Sequence, residues 1–434
     1  MKITTIALSL GLLTLTALHS PAAQDPKPPT RKQLKTWTKE YLELGSRAMD
    51  KDRARQLEIL ELLKTAKPLT ERDEEKWRKT LAKAWSKLPE LPFDKGDGHY
   101  WEKERRGRYI VGGKTKKPKG LLIAMHGGGL GSADAGGAAS MYSSVASDNK
   151  WVMIAPQALE ATECGWTDSG TEEWIWDLVE QARRTFRIDA NNVVLAGHSM
   201  GGYGSWTLGA HHADRVAALA PAAGAPTPIM DRDTKAIIDI DWGVVPSLRN
   251  VPMVVFQSID DPQVPPGPNQ AAAKEVEKAR KRWGGYENFD YWELDGFGHS
   301  PPPGGPKAHM ERLASRIRVP VQDVVVWQPV LNWKRQFYWL FWEQPAEGAI
   351  VEGRIDREAN KITVTATFHK QSEQGLGLAV LLDGTLVDMG KEVTVEFNGK
   401  QVFKGLPERR LEVLFDTATF GDPALQYVTK IPLQ

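Results

Sequence analysis

Between residues 107 and 318 short apolar runs alternate with helical segments, and this alternation constrains the fold more than any other feature. GLLIAM (Gly120–Met125), WVMIAP (Trp151–Pro156), NVVLAG (Asn192–Gly197), VAALAP (Val216–Pro221), PMVVFQ (Pro252–Gln257) and FDYWEL (Phe289–Leu294) read as buried strands. Thr171–Arg187, the segment after Ser199, and Asn269–Trp283 read as helices between them. Short apolar strands alternating with helices imply an α/β unit: a mostly parallel sheet covered on both faces.

The flanks read differently. Residues 24–106 begin with a Pro/Lys-rich linker, then repeat apolar residues every three or four positions among Lys, Arg and Glu, the period of amphipathic helices. This helical N-terminal region is expected to pack as a cap on the next domain. Residues 319–434 are rich in β-branched and aromatic residues and predict a mostly antiparallel β domain. Asp383-Gly384 and Asn398-Gly399 are its hairpin signals. The opening residues 1–23 place Lys2 before an apolar run from Ile6 to Leu18 and small residues ending at Ala23. That is the layout of a cleaved signal peptide, so the chain is expected to be exported, periplasmic or extracellular, and off the membrane after cleavage. Cys164 is the sole cysteine, so an exported chain of this kind depends on core burial rather than a disulfide. A formal net charge of +1 argues against a nucleic-acid partner. Oligomeric state is left open.

The strand VVLAG runs into His198-Ser199-Met200-Gly201-Gly202. Glycines two before and two after a serine, between a strand and a helix, form a nucleophile elbow, a turn so sharp that the hydroxyl projects above the sheet. A serine hydroxyl needs a base, and the base an orienting acid. Both are expected later in the chain, acid first. Asp260 and Asp261 follow one strand and His299 follows the last, at the carboxyl ends where a parallel sheet places its site. The oxyanion of a tetrahedral intermediate needs amide donors. One is expected from Met200, the other from His126-Gly127-Gly128-Gly129 after the strand GLLIAM, with the choice among the three glycines open. No metal or cofactor is required.

HGGG, GHSMGGYGSW, DDPQVP and GFGHS together resemble secreted α/β-hydrolases of the polyhydroxybutyrate-depolymerase-like, feruloyl-esterase-like and predicted-peptidase branch, related to prolyl oligopeptidases. The resemblance covers about residues 107–318. It implies an α/β-hydrolase fold, and it favours Asp261 over Asp260 as the acid, because Asp-x-x-Val-Pro resembles the usual acid loop of the class. It implies a triad of Ser199, Asp261 and His299, an oxyanion hole from Met200 with Gly127 or Gly128, and an ester substrate, small or polymer-linked, attacked through an acyl-enzyme. The chain differs from depolymerase relatives in its single cysteine and in the Ser300-Pro301-Pro302-Pro303 run after His299. A peptidase with the same machinery, or a binding protein on a hydrolase scaffold, are the rival readings. Trp166, in the loop before the elbow strand, is a candidate wall of the substrate pocket, while Trp174 on the next helix reads as core. Other residues read as structural: His198 beside the nucleophile, His211-His212 as a solvated helix end, KTKKPKG as a solvated hairpin, and the tryptophans of RQFYWLFWE as β-domain core.

Overall fold

The computed structural model describes residues 27–93, 96–368 and 375–433. The expected signal peptide, residues 1–23, lies outside them. Among the described residues, no helix is long and apolar enough to cross a membrane.

Eight strands form the central sheet: β1 (Gly96–Trp101), β2 (Arg106–Gly113), β3 (Leu121–Met125), β4 (Val152–Pro156), β5 (Val193–His198), β6 (Ala218–Ala222), β7 (Met253–Ser258) and β8 (Phe289–Leu294). Their spatial order is β1-β2-β4-β3-β5-β6-β7-β8. From β4 to β8 every pairing is parallel, while β2 runs antiparallel to both β1 and β4. The chain is therefore an α/β hydrolase in fold, with a mostly parallel sheet. The period-2 rule divides each central strand between two cores. Leu121, Ile123, Val193 and Leu195 face one core, and Leu122, Ala124, Val194 and Ala196 the other. Helices α5 (Thr171–Phe186), α6 (Met200–His211) and α7 (Gly267–Trp283) line the first core; α4 (Ala135–Asp148) and α8 (Gly305–Arg312) line the second.

All six expected strands and all three expected helices are present. Two features of this region depart from expectation. The boundary drawn between residues 106 and 107 falls inside β2, because β1 extends the sheet back to Gly96 and joins it by antiparallel pairing. The run Lys114–Gly120 is exposed for most of its length but is no hairpin, since β2 pairs with β4 and the chain must cross β4 to reach β3.

The N-terminal helices are α1 (Arg31–Leu44), α2 (Asp50–Leu63) and α3 (Glu71–Trp85). Their polar groups reach the far end of the chain. Tyr41 Oη donates to Asp416 Oδ1 at 3.0 Å, Arg53 Nη1 to the same oxygen at 3.1 Å, and Arg409 Nε to Glu74 Oε2 at 3.0 Å. Asp416 ends the helix α9 (Leu411–Asp416), which packs on α2 and α3. The N-terminal region also touches α5 of the α/β unit: Arg47 Nη1 lies 2.9 Å from Glu180 Oε1, and Arg183 and Arg184 lie over the Trp85 ring of α3.

The C-terminal region is β-rich and made of two sheets. One holds β9 (Val324–Trp327), β12 (Ile350–Asp356), β13 (Lys361–Thr367), β15 (Val393–Phe397) and β16 (Lys400–Gly405); the other holds β10 (Gln336–Phe337), β11 (Leu340–Gln344), β14 (Leu376–Leu382) and β17 (Thr429–Pro432). All pairs are antiparallel except β13 with β15. Trp339 and Trp342 are fully buried between the sheets, as core residues. Asn398-Gly399 is a two-residue hairpin turn with both φ positive, at 48° and 78°. Asp383-Gly384 is not a hairpin. The Asp383 carboxylate turns the chain by accepting from Thr385 N at 2.9 Å, and the next strand, β15, joins the other sheet.

Candidate active site

Ser199 sits between β5 and α6 with φ 60° and ψ −125°, a conformation that costs a non-glycine residue about 1–3 kcal/mol. The strain is enforced by packing. A Cβ at Gly197 would lie 2.3 Å from Gly201 O, and one at Gly201 would lie 2.1 Å from Met125 O. Only glycine permits strand, turn and helix to approach this closely. Ser199 N donates to Ala222 O at 2.9 Å, tying the turn to β6. Met200 is the first residue of α6, where backbone N–H groups lack intrahelical partners and the helix dipole is positive.

The glycine loop after β3 folds over this turn. A Cβ on Gly127 would stand 3.1 Å from Ser199 Cβ and 3.7 Å from its Oγ, so the Gly127 backbone lies against the serine. Gly128 and Gly129 instead pair with Ala133 and Ser132 in a short ribbon. Gly128, at φ 152°, could not carry a side chain, because a Cβ would meet Ser132 O at 2.2 Å. Of the two expected loop donors, Gly127 is thus the one beside Ser199. His126 shapes the loop. Its Nε2 accepts from Ala158 N at 3.0 Å, leaving Nδ1–H to donate to Gly127 O at 2.8 Å. Burial lowers the basicity of this ring, in keeping with the neutral tautomer.

Trp166 does not line an open pocket. It is fully buried, its Nε1 donates to His126 O at 3.3 Å, and its ring packs on the His126 ring with centroids 4.7 Å apart. An indole packed against the loop, with Gly204 of α6 also in close contact, supports the site. The half-buried Tyr203 of α6 shares a hydrogen bond with Thr167 Oγ1 at 2.8 Å, and burial raises its pKa to about 12. The exposed Cys164 is a neighbour of this tyrosine.

Asp261 and His299 meet. His299 Nδ1 and Asp261 Oδ2 are 2.8 Å apart, with the carboxylate fully buried and the imidazole 12% exposed. Asp261 Oδ1 accepts from the amides of Gln263 and Val264 at 2.8 and 2.9 Å, which fixes the carboxylate before the histidine arrives. Asp260 points elsewhere, into the loop ahead of His299: its Oδ1 accepts from Gly296 N at 3.2 Å and Gly298 N at 3.0 Å. His198 joins the two halves of the site. It immediately precedes Ser199, and its ring centroid is 4.8 Å from that of His299. Burial, and next the charge of His299, press its pKa down to about 4, so it is a neutral partner to that ring.

His211-His212 is not a solvated helix end. Both rings are buried against Glu172 of α5, with His211 Nδ1 3.0 Å and His212 Nε2 3.1 Å from Glu172 Oε1. The C-terminal region covers the end of α6 through Trp333, which stacks on His212. Among the described residues, no group of three or more His, Cys, Asp or Glu side chains could hold a metal ion.

Residues 132–283 match the Esterase family model. No curated protein matches the chain. Similar solved structures include a thermostable esterase at 22% identity (44% of this chain, 51% of that one, TM-score 0.33). Others are a poly(3-hydroxybutyrate) depolymerase from Bordetella parapertussis at 17% (48% and 86%, 0.35) and a CE1 ferulic acid esterase from Anaeromyces mucronatus at 17% (49% and 88%, 0.33). The chain thus spans about half the length of the first of them. In fold the chain is an α/β hydrolase, and within it residues 132–283 carry the match to the Esterase family model.

Proposed function

We propose that the protein hydrolyses carboxylic esters through Ser199, with His299 as general base and Asp261 as the carboxylate that orients it. The observation that carries this reading is the 2.8 Å Asp261–His299 contact, whose imidazole packs on His198, the residue just before the strained Ser199 turn. Asp261 holds the proton on Nδ1, leaving Nε2 to take the Ser199 proton as Oγ attacks the ester carbonyl. The oxyanion that forms is held by the Met200 amide, at the positive end of α6, and by the Gly127 amide. His299 returns its proton to the departing alcohol, and water activated by the same imidazole releases the acid from the acyl-enzyme. The family match over residues 132–283 supports an ester substrate. Ser199→Ala is expected to lower kcat on a p-nitrophenyl acyl ester by about a million-fold. A variant that turns over like the parent refutes the assignment, and faster cleavage of peptide amides than of acyl esters would favour a peptidase.

The protein is also proposed to be exported, on the strength of residues 1–23 alone. Sequencing the amino terminus of protein recovered outside the cytoplasm should give a start near Gln24. An intact Met1 there would contradict the proposal.

A further inference from the structure

His299 stands at the end of a loop that has little stiffness of its own. Gly296 and Gly298 flank Phe297, with φ 82° and 52°, and side chains added at either glycine would meet nothing within 4 Å. Such a segment has many alternative conformations unless it is tied down. It is tied by two side chains from the end of β7. Asp260 Oδ1 accepts from Gly298 N at 3.0 Å and from Gly296 N at 3.2 Å, the latter N–H shared with Asp295 Oδ1 at 3.0 Å. The amide between them, Phe297 N, donates to Ser258 Oγ at 3.1 Å, and the Ser258 hydroxyl itself donates to Asp260 Oδ1. Three successive backbone N–H groups thus converge on one carboxylate–hydroxyl pair, the arrangement that backbone nests offer to anions. Asp260 is held ionised, its pKa lowered first by the Ser258 hydroxyl and next by the Gly298 amide.

We infer that Asp260 is a positioning residue, whose carboxylate clamps the Gly296–Gly298 loop so that His299 keeps its place between Asp261 and Ser199. The inference rests on the serine-hydrolase reading and extends it. The two adjacent aspartates have separate roles. Asp261 sets the tautomer and orientation of the imidazole, and Asp260 sets the backbone from which the imidazole hangs. Asp260 touches no reacting atom. Its loss acts through the distance from His299 to Ser199, and displacement of a catalytic group by about 1 Å can cost about a hundred-fold in rate.

The test compares Asp260→Ala, Asp260→Asn and Asp261→Ala with the parent, on a p-nitrophenyl acyl ester and with a fluorophosphonate that labels the active serine. Asp260→Ala is expected to lower kcat by about 10- to 100-fold, with KM within about twofold of the parent. Fluorophosphonate labelling should slow by a similar factor, since it too needs His299 to take the serine proton. Asp260→Asn keeps an acceptor oxygen for the two glycine amides and should regain most of the lost kcat. Asp261→Ala should cost more than Asp260→Ala. Parental kcat and labelling in Asp260→Ala would overturn the clamp, as would an Asp260→Ala loss exceeding that of Asp261→Ala. If the alanine chain does not fold, Ser258→Ala, which removes the Phe297 bond, should show the same kcat-specific loss, and parental kcat there is equally fatal. A parent that resists the fluorophosphonate refutes the serine-hydrolase reading itself, whereas a labelled parent with an unaffected Asp260→Ala refutes only the clamp.

Discussion

At the scale of single residues, the site depends on close approach. Gly127 is the sharpest case, because a methyl group there would press on Ser199 Cβ and on His198 O, each at 3.1 Å. Its backbone does not require a positive φ, so alanine adds crowding without adding backbone strain. Gly127→Ala is therefore expected to leave the melting temperature near that of the parent and to lower kcat by about ten- to a hundred-fold through a displaced donor. Unchanged kcat in the alanine variant would remove Gly127 from the oxyanion hole. The proposed triad is legible in sequence because the chemistry forces its types and order: a serine between glycines after a strand, then carboxylates, then a histidine. The functions of Asp260 and His126 are not legible in the same way. Each acts by bonding backbone amides or carbonyls of another segment, and sequence does not display a main-chain partner. Trp166 misleads for a related reason. A tryptophan in a glycine-bordered loop reads as a pocket wall, and only the packing of His126 and Gly204 against it shows that it lies under the loop.

At the scale of elements, the strands are legible where burial leaves one solution and misleading where pairing is non-local. Runs such as LLIAM and VVLAG have no polar face to offer water, so a two-sided parallel sheet follows. The helix α4, AGGAASMYSSVASD, lacks the amphipathic stripe that would announce it, since small residues let it pack flat on β2 and β4. The two Asx-Gly pairs of the β-rich region show the same limit. Asn398-Gly399 joins neighbouring strands of one sheet, whereas Asp383-Gly384 launches a crossover, and both read alike in sequence. Gly399, at φ 78° with open space around it, isolates the conformational cost of the turn. Gly399→Ala should destabilise the protein by about 1–2 kcal/mol without altering kcat, measured by urea unfolding alongside an ester assay. A cost near zero would show that the turn relaxes to another type.

At the scale of the whole molecule, the α/β unit and the β-rich region share buried charge. Lys334 and Asp214 form a 2.7 Å ion pair, at 2% and 0% side-chain exposure, where α6 ends and the β-rich region begins its cover. Burial presses the Lys334 pKa down to about 7 against the attraction of Asp214. Lys334→Met strands the Asp214 carboxylate and should cost about 3–5 kcal/mol, and the double change with Asp214→Asn should recover much of it. An additive double mutant would mean that the two charges are not coupled. Acid should loosen the same molecule. His198 and His309 have pKa values pushed down to about 4 by burial, and His212 is likewise lowered. Folding therefore excludes protons that the unfolded chain binds below about 6.5, so stability is present above that value and falls as pH drops toward 4. Denaturant midpoints from pH 7 to 4 should decline, and less steeply in His309→Gln; a flat profile would contradict neutral buried imidazoles.

The bonds from Tyr41, Arg53 and Glu74 to Asp416 and Arg409 join helices to segments that the ribosome makes 335 to 375 residues later. A ribosome therefore releases α1, α2 and α3 long before the surface they rest on exists. Their apolar stripes must wait, solvated or chaperoned, until α9 and β17 emerge. This contact closes only after Arg409 and Asp416 are made, and a chain cut before them would leave the three helices without a seat.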